Sequence, residues 1–292
     1  MMKILITGIL LLGLPFVVLA CTPEEEADNR VGVVVTLLPQ AEFAEKLGGE
    51  KVRVTVMVPP GASPHTYEPK PAQMTALAGA DMYAQVGSGV EFELAWMDKL
   101  LATNKKMVVV DCSQGVELRE MMAGEEPENH GRMDPHIWMS PVNAQVMVSN
   151  VCDGLIAVDP ENSDYYERNR DAYRQQLAEI DREMREGLAG VENRRFMVYH
   201  PAFGYFAREY NLTMIAIEKE GKEPTAAGLA HLIEQAKAHD IRVIFAEPQF
   251  DPKSAEVIAE AIGGSVVLID PLAKDYIGNL RLLLKEMLPA ME

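Results

Sequence analysis

Four residues in this chain combine a metal-ligating side chain with a stiffened backbone: His65, His136, His200 and Asp270. Pro64 precedes the first, Pro135 precedes the second, and Pro201 and Pro271 follow the other two. A proline ring locks its own φ and restricts the residue before it, so such loops are held before a ligand arrives. Imidazole nitrogens with one carboxylate suit a borderline-soft divalent cation, zinc first. The four are scattered along the chain and form no compact motif. Residue types alone therefore leave open both a shared metal site and four unrelated loop residues. Among the other histidines, His130 lies near the second candidate and stands as a possible auxiliary ligand. His231 and His239 fall within and at the end of a helical pattern, where surface or capping roles suit them. Glu247, in FAEPQF, is expected to satisfy loop backbone donors rather than bind metal. The 17 methionines are dispersed and read as core filling.

The element that most clearly positions a candidate is Met133–Pro141, MDPHIWMSP. Ser140 is a good N-cap and Pro141 fits the first helical position, so a helix should run from there to about Val158. Trp138 offers a buried anchor beside His136. Upstream, strands at Val33–Thr36, Val52–Val58, Met82–Val86 and Met107–Asp111 alternate with helices at Ala41–Leu47, Pro71–Ala80 and Glu91–Leu101, and Pro39 is expected to break the first strand. That alternation predicts a doubly wound α/β unit. Asp159-Pro160 repeats the cap-plus-proline signal and opens a charged helix from about Glu161 to Leu188, spanning roughly 40 Å. Its thin apolar stripe is Tyr165, Ala172, Leu177, Ile180 and Met184, and its mid-chain place suggests a strut between two lobes.

The pattern then restarts. Strands at Phe196–Tyr199, Met214–Ile217, Ile241–Phe245 and Val266–Ile269 alternate with helices at Phe203–Tyr210, from Thr225 to Ala238, and from Asp251-Pro252 to Gly263-Gly264. VTLLPQAEFAEKLGG at Val35 echoes VYHPAFGYFAREYN at Val198, a weak internal duplication. His65 and His200 follow strand ends, Asp270 ends a strand and His136 precedes a helix. Two candidates thus fall in each lobe, on loops expected to face one cleft.

Composition sets the bounds. A chain of 292 residues with 48% hydrophobic content and a mean hydropathy of −0.05 fits one large or two medium globular domains. A net charge of −17 argues against a nucleic-acid partner, which needs a cationic footprint, and is compatible with a cationic ligand or with simple solubility. Lys3 and the uncharged, mostly apolar stretch Ile4–Ala20 read as a secretory signal peptide over residues 1–20. Val18-Leu19-Ala20-Cys21 resembles a bacterial lipobox, which makes Cys21 the lipidated mature N-terminus, although Leu19 is not the commonest residue at its position. Residues 21–30 form an acidic tether. The expected units are then an N-terminal lobe over 31–158, a linking helix over 159–190 and a C-terminal lobe over 191–292. An uncleaved anchor would leave the protein on the same side of the membrane. Cys112 and Cys152 suit two buried small apolar residues better than a disulfide, and no Cys-x-x-Cys pair exists.

The segments PPGASPHTYEPKP, DPHIWMSP, VYHPAFGYFAREYNL, VIFAEPQFDPKSAEVIA and VVLIDPLAKDYI together resemble the zinc- and manganese-binding substrate-binding proteins of ABC transporters. The resemblance covers nearly the whole mature chain in order. It implies two α/β lobes joined by one long rigid helix, with a metal ion held between them by His65, His136, His200 and Asp270. It also implies a membrane permease as partner, a location outside the cytoplasm on the cell membrane or in the periplasm, and no catalysis. A monomer is expected. Members with His at the third position mostly take zinc, while manganese and iron binders carry Glu there, so His200 favours Zn²⁺ over Mn²⁺ or Fe²⁺. The chain departs from many zinc-uptake members in lacking a long His-rich loop. Residues 123–132 hold only Glu125, Glu126, Glu128 and His130 in its place. The rigid helix predicts metal release through small loop shifts. Two rivals from other classes are a secreted zinc hydrolase, for which no His precedes a Glu in a suitable helical motif, and a surface adhesin.

Overall fold

The first sheet is built around its most apolar strand. Val31–Val35 (β1, VGVVV) is buried at every position, which suits a central parallel strand covered on both faces. Val52–Val56 (β2) lies on one side of it, and Met82–Gln85 (β3) then Val108–Asp111 (β4) on the other, giving the order β2-β1-β3-β4. All pairs are parallel, with Val33 beside Val54 and Val34 beside Tyr83. Helices Leu38–Gly48 (α1), Pro71–Ala78 (α2) and Glu91–Thr103 (α3) supply the crossovers, and Pro141–Val158 (α4) follows β4 and packs on β3 and β4. A computed structural model describes residues 29–121, 133–218 and 222–291 of the chain. The signal peptide, Cys21, most of the tether, and the whole acidic loop with His130 lie outside the described residues.

The second sheet repeats the first. Arg195–Val198 (β5), Thr213–Ala216 (β6), Val243–Ala246 (β7) and Ser265–Leu268 (β8) run in the order β6-β5-β7-β8, all parallel. The expected duplication is thus a shared strand order, and β5 takes the place of β1. Between the sheets, Ser163–Leu188 (α5) is a single helix of 26 residues, about 39 Å long. Its first half meets the first lobe: Asn169 donates to the Leu47 carbonyl and Tyr173 to Glu42. Its second half meets the second lobe through Glu183–Arg281 and through Asp181, which accepts from the Tyr210 hydroxyl.

Several expectations are corrected by the packing. Pro39 sits in the first turn of α1, where its missing N–H costs nothing, so it helps to open that helix. The buried stripe of α5 is Tyr166, Tyr173, Leu177, Ile180, Met184 and Leu188. Tyr166 and Tyr173 replace Tyr165 and Ala172 because their hydroxyls reach Asp159 and Glu42 across the packed face. The helix proper begins at Ser163, after a 3₁₀ turn over Pro160–Asn162. A further helix, Tyr276–Ala290 (α9), was not expected at all; it packs on α5. The remaining helices of the second lobe, Gly204–Glu209 (α6), Ala226–Ala238 (α7) and Lys253–Ile262 (α8), follow the expected order.

The main apolar core runs unbroken from the first sheet through α5 to α6, α9 and one face of the second sheet. A smaller core lies on the other face, under α7 and α8. The lobes are therefore welded along one side. Cys112 and Cys152 are both free and buried, as expected.

Candidate metal centre

Each histidine of the predicted set stands outside the regular elements, on the connections that join them. His200 directly follows β5 and Tyr199, at the carboxyl edge of the second sheet where the strand order reverses, a common ligand position in such sheets. Its backbone N–H donates to Glu247 Oε2 at 3.1 Å, which is the backbone role expected of Glu247. His136 opens a 3₁₀ turn, Ile137–Met139, that runs into the Ser140 cap. Ser140 accepts from the Asn143 N–H and Pro141 begins α4, as the sequence predicts. Ser88 Oγ ties the loop further by donating to the Pro135 carbonyl at 2.5 Å. His65 lies on the proline-rich connection between β2 and α2.

Folding brings these three imidazoles together from both lobes. The His200 ring is the middle one, its centroid 5.0 Å from that of His65 and 5.2 Å from that of His136. His136 Nε2 and His200 Nε2 are 3.2 Å apart. The Nδ1 atoms all face carboxylates instead: His136 to Asp134 at 2.8 Å, His200 to Glu218 at 3.1 Å and His65 to Glu91 at 3.1 Å. An ionised carboxylate only accepts, so these contacts place the proton of a neutral imidazole on Nδ1 and leave Nε2 as a lone pair. Two such lone pairs aimed at each other across 3.2 Å repel, and a shared cation turns that repulsion into binding. Two zinc–imidazole bonds meeting at a tetrahedral angle put their nitrogens about 3.3 Å apart. The donor set and the spacing fit that ion.

The carboxylates behind the rings are the functional residues that the sequence reading missed. Such partners fix the tautomer and orientation of ligating histidines. Asp134 is fully buried, accepts from both the N–H and the ring of His136, and is balanced by Arg119 Nη1 at 3.1 Å. Gly204 is required here, because a Cβ would stand 1.5 Å from Arg119 Nη1 and 2.4 Å from Asp134 Oδ2. Asp134 was legible as the Asp of DPH, two residues before His136. Glu91 and Glu218 are far from their partners in sequence and carried no signal.

Burial sets the protonation of this cluster against its carboxylates. It dominates at His200, which is pulled below its ordinary value, with the nearby His136 and His65 adding to the effect and Glu218 resisting it. At His65 burial also pulls down, but the bond and charge of Glu91 together outweigh it, and the imidazole stands above its ordinary value. Glu91 itself is desolvated, yet His65 holds it down to about 2. Phe250 stacks on the His200 ring at 4.9 Å and 25°, an apolar cover that limits water.

Asp270 is placed differently. Pro271 and Leu272 line the cleft with the three histidines, and Gln249 and Phe250 close another side, but Asp270 lies just behind that lining. Its Oδ1 accepts from Gln249 Nε2 at 2.7 Å and from the Leu272 N–H at 2.9 Å. Among the described residues, no three or more His, Cys, Asp or Glu side chains already close a shell around one point. The structure therefore gathers three of the four predicted residues and holds the fourth one step back.

Two lobes of repeated parallel topology, welded along a helix and meeting at a histidine cleft, define a bilobed α/β protein with its candidate site between the lobes. The comparisons give its family: residues 33–290 match the zinc-uptake complex component A (periplasmic), and the chain belongs to that family. It is 32% identical over 256 residues to the high-affinity zinc uptake system protein ZnuA of Bacillus subtilis, covering 84% of this chain and 79% of that protein. It is 30% identical over 264 residues to the zinc-binding lipoprotein AdcA of Streptococcus pneumoniae, covering 87% of this chain. The chain spans about half of AdcA, 52% of its length. A crystal structure of ZnuA superposes with a TM-score of 0.84 at 40% identity, covering 90% of this chain and all of the other.

Proposed function

We propose that this protein captures Zn²⁺ outside the cytoplasm and hands it to the membrane permease of an ABC transporter, without catalysing a reaction. Zn²⁺ is cargo, held by His65, His136 and His200 with Asp270 as fourth ligand. The observation that carries this reading is the pair of Nε2 atoms at 3.2 Å, one from each lobe, with both Nδ1 atoms held by carboxylates. A nitrogen-rich site prefers zinc over manganese by intrinsic affinity, which ranks Mn²⁺ or Fe²⁺ cargo second. Family membership and the zinc-uptake and zinc-binding names of the relatives support the same cargo.

On this reading residues 1–20 are the signal peptide and Cys21 carries the lipid that holds a monomer at the outer face of the membrane. Residues 21–30 lift it clear, followed by the lobes at 31–158 and 191–292 with the linking helix at 159–190. The continuous core along α5 limits hinge opening, so release runs through the loops that carry the ligands. Equilibrium dialysis of the metal-stripped protein against zinc, with His200→Ala beside it, tests the assignment. The variant should lose at least about a hundredfold in affinity. Unchanged affinity in a folded variant overturns the reading.

A further inference from the structure

Asp270 is tied more tightly than a free ligand needs to be. Both of its side-chain hydrogen bonds fall on the same oxygen, Oδ1: the Gln249 amide at 2.7 Å and the Leu272 N–H at 2.9 Å. The carboxylate settles which way the Gln249 amide faces, because it can only accept and so must meet the NH₂ group. Gln249 Oε1 is then left buried without a hydrogen-bond partner among the described residues. That amide orientation persists only because the bond to Asp270 favours it. The backbone under the carboxylate is pinned as well. Asn279 Nδ2 donates to the Asp270 carbonyl at 2.8 Å, and Trp138 Nε1, from the His136 loop, donates to the Pro271 carbonyl at 2.8 Å. Those two bonds anchor the backbone at Asp270 and Pro271.

Resting on the assignment of Asp270 as fourth ligand, we propose that Gln249 sets the metal preference of the site by restricting Asp270 to one oxygen. A carboxylate chelates through both oxygens only when both have lone pairs to give. With Oδ1 spent on two donors, Oδ2 alone keeps its lone pairs for an ion. Three imidazoles and one oxygen make four donors, the tetrahedral number that zinc takes readily. Manganese is better served by more oxygen ligands and a larger shell. Gln249 is thus a positioning residue that limits coordination number without touching the metal.

The test uses the intact mature protein, metal-stripped, with Gln249→Leu and Gln249→Ala, and Asp270→Ala as the reference. Co²⁺ serves as the spectroscopic probe, since four-coordinate cobalt absorbs far more strongly in the visible than five- or six-coordinate cobalt. Wild type should show the intense four-coordinate bands. Both Gln249 variants should show weakened bands, and their zinc-over-manganese preference, from competition titration, should fall about tenfold, the equivalent of about 1.4 kcal/mol. Folded Gln249 variants with the wild-type cobalt spectrum and an unchanged preference overturn the inference. The two readings fail separately. If Asp270→Ala leaves zinc affinity and the cobalt spectrum untouched, the ligand assignment is wrong. If Asp270→Ala changes both and the Gln249 variants change neither, only the role of Gln249 is wrong.

Discussion

The two lobes share a strand order and differ in what sits at its turning point. In the first, the end of β1 and the end of β3 converge on Glu93 of α3. Its Oε1 accepts from Thr36 Oγ1 at 2.5 Å and from the Val86 N–H at 2.6 Å, and its Oε2 from the Gly87 N–H at 3.0 Å. Gly87 can present that N–H because it holds φ +81°, a conformation L side chains rarely adopt. In the second lobe the same places are taken by His200 after β5 and Glu247 after β7. Glu247 is as deeply buried, yet only Oε2 is used, by the His200 N–H, while Oε1 has no partner among the described residues. One topology has therefore yielded a closed polar knot on one side and a half-used one beside the histidine cleft on the other. Buried polar groups with every bond made rigidify a fold, and partly satisfied ones mark where function departs from it.

That contrast is broken most directly at Glu93. In Glu93→Gln, one face of the amide must turn its NH₂ toward a backbone N–H or the Thr36 hydroxyl, leaving buried donors opposed. The expected cost is about 2 kcal/mol of stability by urea denaturation, with zinc affinity in the folded variant unchanged. Burial raises the pKa of Glu93 against the pull of its three donors. A raised folded value means that the contribution is fully present below the unfolded carboxylate range and lost as the pH climbs through the folded value. The deficit of the variant should accordingly be largest in acid and shrink on the alkaline side. A zinc affinity that falls with stability would show that the first-lobe knot also belongs to the site.

The histidine supports give the next contrast. Asp134 is fully buried, makes two bonds to His136 and is balanced by Arg119, whereas Glu218 makes one bond of 3.1 Å to His200. Asp134→Asn turns an NH₂ toward either a guanidinium or an imidazole N–H, and should weaken zinc binding by roughly a hundredfold. Glu218→Gln keeps an acceptor for Nδ1 and should cost roughly tenfold. Isothermal titration on both variants orders them. Equal losses would mean that the lobes hold their histidines equally firmly, against the geometry.

How much of this was legible follows from distance along the chain. Capping chemistry is local, so Ser140 with Pro141, Thr225 accepting from the Gly228 N–H, and Gly263 in the left-handed conformation at the end of α8 were all readable. The strand pattern and its repetition were readable for the same reason. Helix α9 was not expected, although Asp275 caps it through the Gly278 N–H; it carries Gly278 in its first turn and Pro289 near its end, both poor helix formers. On α5 Leu177, Ile180 and Met184 are buried as expected, but the first two positions of the stripe fall one residue later, because apolar spacing cannot say which tyrosine hydroxyl will find a buried partner such as Glu42. The three histidines were readable as a set, and the structure gathers them. Their carboxylate partners, apart from Asp134, and the Gln249 tie on Asp270 depend on long-range packing that no local pattern records.

The smallest effect lies between the outer histidine of the first lobe and the histidine of the second. His65 is the outermost imidazole, with its side chain 30% exposed, and it is the one whose pKa is raised, whereas His200 is lowered. A raised pKa means that the proton competes with zinc at higher pH, so acidification should first weaken binding at His65 while His200 remains neutral. Glu91 supplies the raising effect against burial. In Glu91→Gln, burial is left unopposed by that charge and the His65 pKa should fall, so zinc affinity should persist to a lower pH than in wild type, with the midpoint displaced by about one unit or less. Affinity measured in steps across the histidine range, in both proteins, gives the two midpoints. A midpoint that stays put or moves up would mean that acid release is governed by the second lobe, where His200 and Glu218 meet.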